Sequence, residues 1–155
     1  MNFTGTKMST YTQILYQIVF GTKRHESTLV KRDRDKLFKY IIGILKNKKC
    51  HPYIINGIEN HIHIVTHLHP SVALASLVKD TKLASLEFIK ENSLFPQFDG
   101  WQNGYSAFTY TISEKERLIQ YVKNQEEHHK KVSWKEELVA LLKEHKIKYD
   151  EHYLL

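Results

Sequence analysis

Two imidazoles alternate with branched aliphatics in Asn60-His61-Ile62-His63-Ile64-Val65-Thr66-His67. That is the pattern of a half-buried strand, on which side chains at i and i+2 leave one face about 7 Å apart. His61 and His63 therefore project together, while Ile62 and Ile64 press into a core on the other side. A rigid imidazole pair suits a divalent metal ion if a third ligand comes from elsewhere. Gln125 offers one through its amide oxygen, and it stands at i+4 from Tyr121 on the same helical face. Two nitrogens and one neutral oxygen are not the closed tetrahedral set of structural zinc. They better suit Mg²⁺ or Mn²⁺, which keep water and substrate phosphate as ligands. A tyrosine beside such an ion has the chemistry of a phosphoryl-directed nucleophile. On spacing alone a tyrosine on an apolar helical stripe is more often core, so the reading needs a fold that carries this helix to the imidazoles.

The elements that must position these groups follow in chain order. Tyr11 to Thr22 reads as a first strand, with Ile14, Tyr16, Ile18 and Phe20 on an apolar face and Gln13 and Gln17 on the more polar one. A helix over Arg32 to Lys48 carries Leu37, Phe38, Ile41, Ile44 and Leu45 at helical spacing. A second strand, His51 to Ile58, turns through Gly57-Ile58-Glu59-Asn60 into the histidine strand, forming an antiparallel hairpin. A second helix, Val72 to Asn92, and a fourth strand, Gly104 to Ile112, complete the order strand, helix, strand, strand, helix, strand. That order is the split βαβ, ferredoxin-like arrangement of an α+β fold. It makes the first and third strands central, puts both helices on one face, and turns the imidazoles to the open face, where related folds read single-stranded nucleic acid. Two capping boxes, Ser113 to Glu116 and Ser133 to Glu136, then predict a helix running to about Lys130 and another beyond it. The first of these carries Leu118, Tyr121, Val122 and Gln125 on one stripe and can lie across the open face.

Composition sets the outer bounds. At 155 residues with 41% hydrophobic and 26% charged side chains, the chain fits one soluble globular domain. We expect a single unit over 1–155: a flexible 1–10, a core over 11–112, and a C-terminal catalytic-helix segment over 113–155. The lone cysteine, Cys50, excludes an intramolecular disulfide and is compatible with a reducing compartment. No apolar run near the N-terminus suits a signal or membrane span, so a cytoplasmic protein with no membrane partner is expected. A net charge of +6 makes nucleic acid the first acidic partner to consider.

Other candidates carry less. Lys48 and Lys49 close the first helix and could touch phosphate, although a solvated C-terminal turn is the commoner outcome. His67 shares the histidine face near the strand end, where a DNA-backbone or surface role fits better than ligation. His129 lies one turn beyond Gln125 and could approach a phosphate. Trp101 and Tyr105 could stack on bases, yet aromatics that anchor a loop are more frequent.

Taken together, several segments resemble the single-tyrosine transposases of the HUH class, including those associated with repetitive extragenic palindromes (REP). They are Tyr11-Thr12-Gln13, Val19-Phe20-Gly21-Thr22-Lys23, His61-Ile62-His63, Trp101 to Phe108, Tyr121 to His129, and Lys148 to Leu155. The resemblance spans nearly the whole chain, with Ser106 where the family usually has glycine. It implies that His61, His63 and Gln125 hold a divalent ion. It also implies that Tyr121 attacks a DNA phosphate to give a 5′-phosphotyrosine link and a free 3′-OH. It further implies a homodimer acting on single-stranded DNA hairpins at element ends or palindromic repeats. The alternatives are a domesticated nuclease of the same chemistry, a metal phosphoesterase with no covalent intermediate, and a non-catalytic nucleic-acid-binding module.

Overall fold

The computed structural model describes residues 9–154. The expected flexible segment, 1–10, lies outside the described residues apart from Ser9 and Thr10, which belong to no element. The elements run β1 (Leu15–Gly21), α1 (Lys31–Asn47), β2 (His51–Gly57), β3 (His61–His67), α2 (Leu74–Glu91), β4 (Ser106–Tyr110), α3 (Lys115–Lys123), α4 (Gln125–His128) and α5 (Trp134–Glu144). The four strands form one antiparallel sheet in the order β2-β3-β1-β4, so β1 and β3 are central. This is the ferredoxin-like α+β architecture. No helix among the described residues is long and apolar enough to cross a membrane.

The period-2 pattern divides the central strands between two cores. Ile18, Phe20, Ile62 and Ile64 face α1 and α2 and pack with Leu37, Ile41, Leu45, Leu77 and Ile89. The opposite face is covered as well. Leu15 and Val65 meet Leu118 and Val122 of α3, and Val19 and Phe108 meet Trp134, Leu138, Leu141 and Leu142 of α5. Register then decides what surrounds the imidazoles: His63 lies opposite Val19, and His61 opposite Gly21. A Cβ at Gly21 would sit 2.7 Å from Gln102 Oε1 and 3.4 Å from Trp134 Nε1. Glycine there lets the indole come down beside His61. Gly57 does the same for the hairpin, because a Cβ would lie 2.2 Å from the His61 carbonyl oxygen.

Three expectations need correction. β1 starts at Leu15 rather than Tyr11, because its partners β3 and β4 run out at His67 and Tyr110, both opposite Leu15. The Ser113 capping box does not form: Ser113 Oγ pairs with Thr111 Oγ1 at 2.8 Å, and a 3₁₀ turn over Ile112–Glu114 precedes α3. The long helix to Lys130 is interrupted at Asn124 (φ −93°, ψ 20°), a weak helix former that ends α3 and opens α4. Backbone bonds from Asn124 to Gln120 and from His128 to Asn124 bridge the break, so Tyr121 and Gln125 still face one side. The Ser133 box is complete, with Glu136 N donating to Ser133 Oγ at 3.1 Å and Ser133 N to Glu136 Oε1 at 3.3 Å. It fixes the first turn of α5, which carries Trp134 and Glu137.

Candidate metal centre and nucleophile

Five side chains from four elements meet over the β3 face: His61, His63, Tyr121, Gln125 and Glu137, joined by His129 just past α4. All belong to one chain. His61 and His63 are fully buried, as is Gln125, and Glu137 is 2% exposed. One carboxylate oxygen, Glu137 Oε1, is the point of convergence. It lies 3.2 Å from His61 Nε2, 3.0 Å from His63 Nε2 and 3.1 Å from His129 Nε2. The other oxygen, Oε2, accepts hydrogen bonds from the Tyr121 hydroxyl and, at 2.8 Å, from Gln125 Nε2. Gln125 Oε1 turns back towards His129 Nε2 at 2.9 Å and His61 Nε2 at 3.3 Å.

Each imidazole is also held from behind. His61 Nδ1 meets Asn60 Oδ1 at 2.8 Å, His63 Nδ1 meets Gln17 Oε1 at 2.6 Å, and His129 Nδ1 meets the Val132 carbonyl at 2.7 Å. These partners are oxygens that can only accept, so the ring proton sits on Nδ1 in all three neutral rings. Gln17 is itself fixed by donating to the Tyr110 hydroxyl at 2.8 Å. Trp134 stacks on the flat of His61, with centroids 4.1 Å apart and planes 8° from parallel. Second-sphere oxygens on Nδ1 are the usual way to fix a metal-binding imidazole.

The electrostatics follow from burial and from Glu137. Burial lowers the His61 pKa to about 4, against the opposing pull of the Glu137 carboxylate, and keeps that ring neutral. Burial alone would raise Glu137, but the His129, His61 and His63 rings around its Oε1 outweigh it and hold the carboxyl well below its ordinary range. His129 is raised, since the Glu137 bond and charge overcome its desolvation. Burial and then the Glu137 charge push the Tyr121 phenol well above its usual value, so the ground state is the protonated phenol. A cleft of about 280 Å³ opens on that phenol, with Arg117, His128 and Tyr110 among its walls.

The remaining candidates, His129 excepted, lie outside the cluster. Lys48 pairs with Asp80 of α2 at 2.7 Å, and Lys49, with φ 62°, follows the end of α1. His67 Nδ1 accepts the Ile14 backbone N–H at 3.2 Å and has no bond to the cluster. His129, alone of these candidates, lies inside the cluster. Trp101 is buried and donates to Ser85 Oγ at 3.0 Å, whereas Tyr105 is exposed. Glu137 and Trp134 were missed in the sequence. Glu137 carried a signal: it is a carboxylate on the stripe Trp134, Leu138, Leu141, where only apolar residues belong.

Residues 10–125 match the family model described as "Transposase IS200 like". The fold is similar to the crystal structure of a candidate transposase from Deinococcus radiodurans R1 (TM-score 0.59, 21% identity, covering 77% of this chain and 97% of that one). It is also similar to a REP-associated tyrosine transposase solved bound to a REP hairpin (TM-score 0.58, 15% identity, covering 79% and 74%). No curated protein matches the sequence.

Proposed function

The chain belongs to the IS200-like transposase family, and from that premise we propose that it cuts and rejoins single-stranded DNA beside hairpins through a 5′-phosphotyrosine intermediate. The observation that carries the reading is the convergence of the Tyr121 hydroxyl with His61, His63 and Gln125 around one point. The donor set fits a divalent cation: His61 and His63 are held with Nδ1 as donor and Nε2 turned inward, and the Gln125 amide oxygen lies beside them. A bound Mg²⁺ or Mn²⁺ supplies Lewis acidity to the scissile phosphate and offsets charge that grows in the transition state.

The chain's own groups account for the rest. Tyr121 Oη forms the new bond to phosphorus while the bond from phosphorus to the 3′ oxygen breaks, leaving a 3′-OH. Among the described residues the phenolic proton is hydrogen-bonded to Glu137 Oε2. From there it can pass to the departing 3′ oxygen. A phosphodiester to tyrosine conserves the energy of the broken bond, so rejoining needs no nucleotide. The cleft on the exposed edge of Tyr121, with Arg117 on its wall, suits the approach of a phosphate strand. The hairpin-bound state of the REP-associated relative supports a hairpin as the mark that places the cut. We place the single domain over 1–155 and the homodimer in the same reading, although the residues of the site all come from one chain.

The experiment is incubation of labelled single-stranded hairpin DNA with the protein and Mg²⁺ or Mn²⁺, followed by denaturing electrophoresis. A denaturation-resistant adduct that Tyr121→Phe abolishes is expected. Cleavage without any adduct would turn the reading into a hydrolytic phosphoesterase. Hairpin binding that tolerates His61→Ala and Gln125→Ala, with no cleavage, would make it a binding module. Light scattering during size exclusion reports the dimer.

A further inference from the structure

A carboxylate oxygen within 3.2 Å of three imidazole nitrogens needs something between or upon them. Each ring gives its Nδ1 proton to a pure acceptor: the Asn60 amide oxygen, the Gln17 amide oxygen and the Val132 carbonyl. Each neutral ring therefore presents a bare Nε2 lone pair to Glu137 Oε1, and lone pair against carboxylate is repulsive. A proton on one ring relieves only that ring's contact, and relieving all three by protonation would leave a net charge of +2 packed in a buried pocket, which desolvation opposes. A divalent cation resolves both problems, since it turns three lone pairs and one carboxylate into attractive donors. The four donor atoms lie within 4.8 Å of one another. Neighbouring donors on an ion with bonds of about 2.1 Å stand roughly 3.0 Å apart, close to the 3.0–3.2 Å between Glu137 Oε1 and the three nitrogens.

We propose that Glu137 and His129 are protein ligands of the catalytic cation, completing with His61, His63 and Gln125 a shell of three nitrogens and two oxygens that favours Mn²⁺ over Mg²⁺. The inference rests on the reading of His61 and His63 as cation ligands. An ion that takes six donors would then have room for a phosphate oxygen beside these five. The preference follows from the donors. Mg²⁺ retains its waters and favours oxygen, whereas imidazole nitrogen favours transition ions. Glu137 bridges two tasks through its two oxygens, Oε1 towards the imidazoles and Oε2 towards the Tyr121 hydroxyl. Cation and nucleophile are thereby held in fixed relation by one side chain.

The test is calorimetric titration of the full chain with MnCl₂ and with MgCl₂. It is joined to electron spin-echo spectroscopy of the Mn²⁺ complex, which counts coordinated imidazole nitrogens. Wild type is expected to bind Mn²⁺ at least about tenfold more tightly than Mg²⁺ and to show three nitrogens. E137Q and H129Q are each expected to lose at least about tenfold in Mn²⁺ affinity, the lower range for perturbing even an outer partner, with H129Q showing two nitrogens. Circular dichroism confirms folding; should E137Q not fold, H129Q and the wild-type nitrogen count decide. Wild-type affinity in both variants, with binding lost in His61→Ala, overturns the inference and leaves the two-histidine reading standing. Two nitrogens in wild type, or equal affinity for Mn²⁺ and Mg²⁺, overturns it likewise. A wild-type protein that binds neither ion overturns both.

Discussion

Replacing Gln17 with leucine isolates the support behind one imidazole. Gln17 is fully buried, accepts the His63 Nδ1 proton at 2.6 Å and donates to the Tyr110 hydroxyl at 2.8 Å. Tyr110 keeps a second partner in His145 Nε2 at 3.3 Å, so its loss is of the order of 1 kcal/mol. His63 has no other acceptor at Nδ1 among the described residues, and an orphaned buried N–H costs about 1–3 kcal/mol. The ring can avoid that cost by moving its proton to Nε2, where Glu137 Oε1 lies 3.0 Å away. The metal-free protein then loses only about 1 kcal/mol, or roughly 2–4 °C in Tm for a chain of this size. The relocated proton occupies the lone pair that a cation needs, however. Metal affinity should therefore fall about 10–100-fold, the usual cost of removing an outer partner. Thermal melts of Gln17→Leu with and without Mn²⁺ separate the two effects. Unchanged metal affinity together with a large fall in metal-free Tm would refute the tautomer argument.

Three further outcomes follow from the same geometry. His61 is lowered to about 4 and Glu137 is depressed, so the unfolded chain binds protons that the folded one refuses; their stabilisation is present above about 6.5 and 4.5 respectively and is lost as pH falls. The unfolding free energy of the metal-free protein, from urea titrations, should drop between pH 7 and 4, by roughly 3 kcal/mol from His61 alone. The raised His129 works the other way, its contribution fading as pH rises through its folded value, and a flat acid profile would contradict the scheme. Gly57→Ala should destabilise the fold by about 1–3 kcal/mol or more and weaken metal binding, because the new Cβ meets strand β3 backbone rather than a movable side chain; chemical denaturation measures it. Trp134→Ala should cost about 3–5 kcal/mol by opening a cavity over His61, read as a lower urea midpoint.

Much of this was legible in the chain because single rules decided it. Alternation in His61 to His67 fixed which side chains share a face, and that face is the one α3 and α5 cover. The pairing order followed from one hairpin and two helical crossovers. What escaped was governed by partners distant in sequence. Ser113 could have capped a helix but for Thr111. Tyr11 to Gln13 had strand-like residues but lie beyond the last ladder pairs, Leu15 with His67 and with Tyr110. Glu137 lies 76 residues from His61 in the chain, and no local pattern links them. Its position within an apolar stripe was a visible anomaly whose meaning only the packed sheet supplies.

The stacking of Trp134 on His61 gives the molecule a built-in optical gauge. An indole's emission responds to charge on a ring lying flat against it, so loading or protonating that imidazole alters the light the protein returns. The other tryptophan, Trp101, sits in the opposite core against Phe20 and provides a constant background. If the proposed cation and strand bind there, indole emission would follow occupancy of the site in real time, without label.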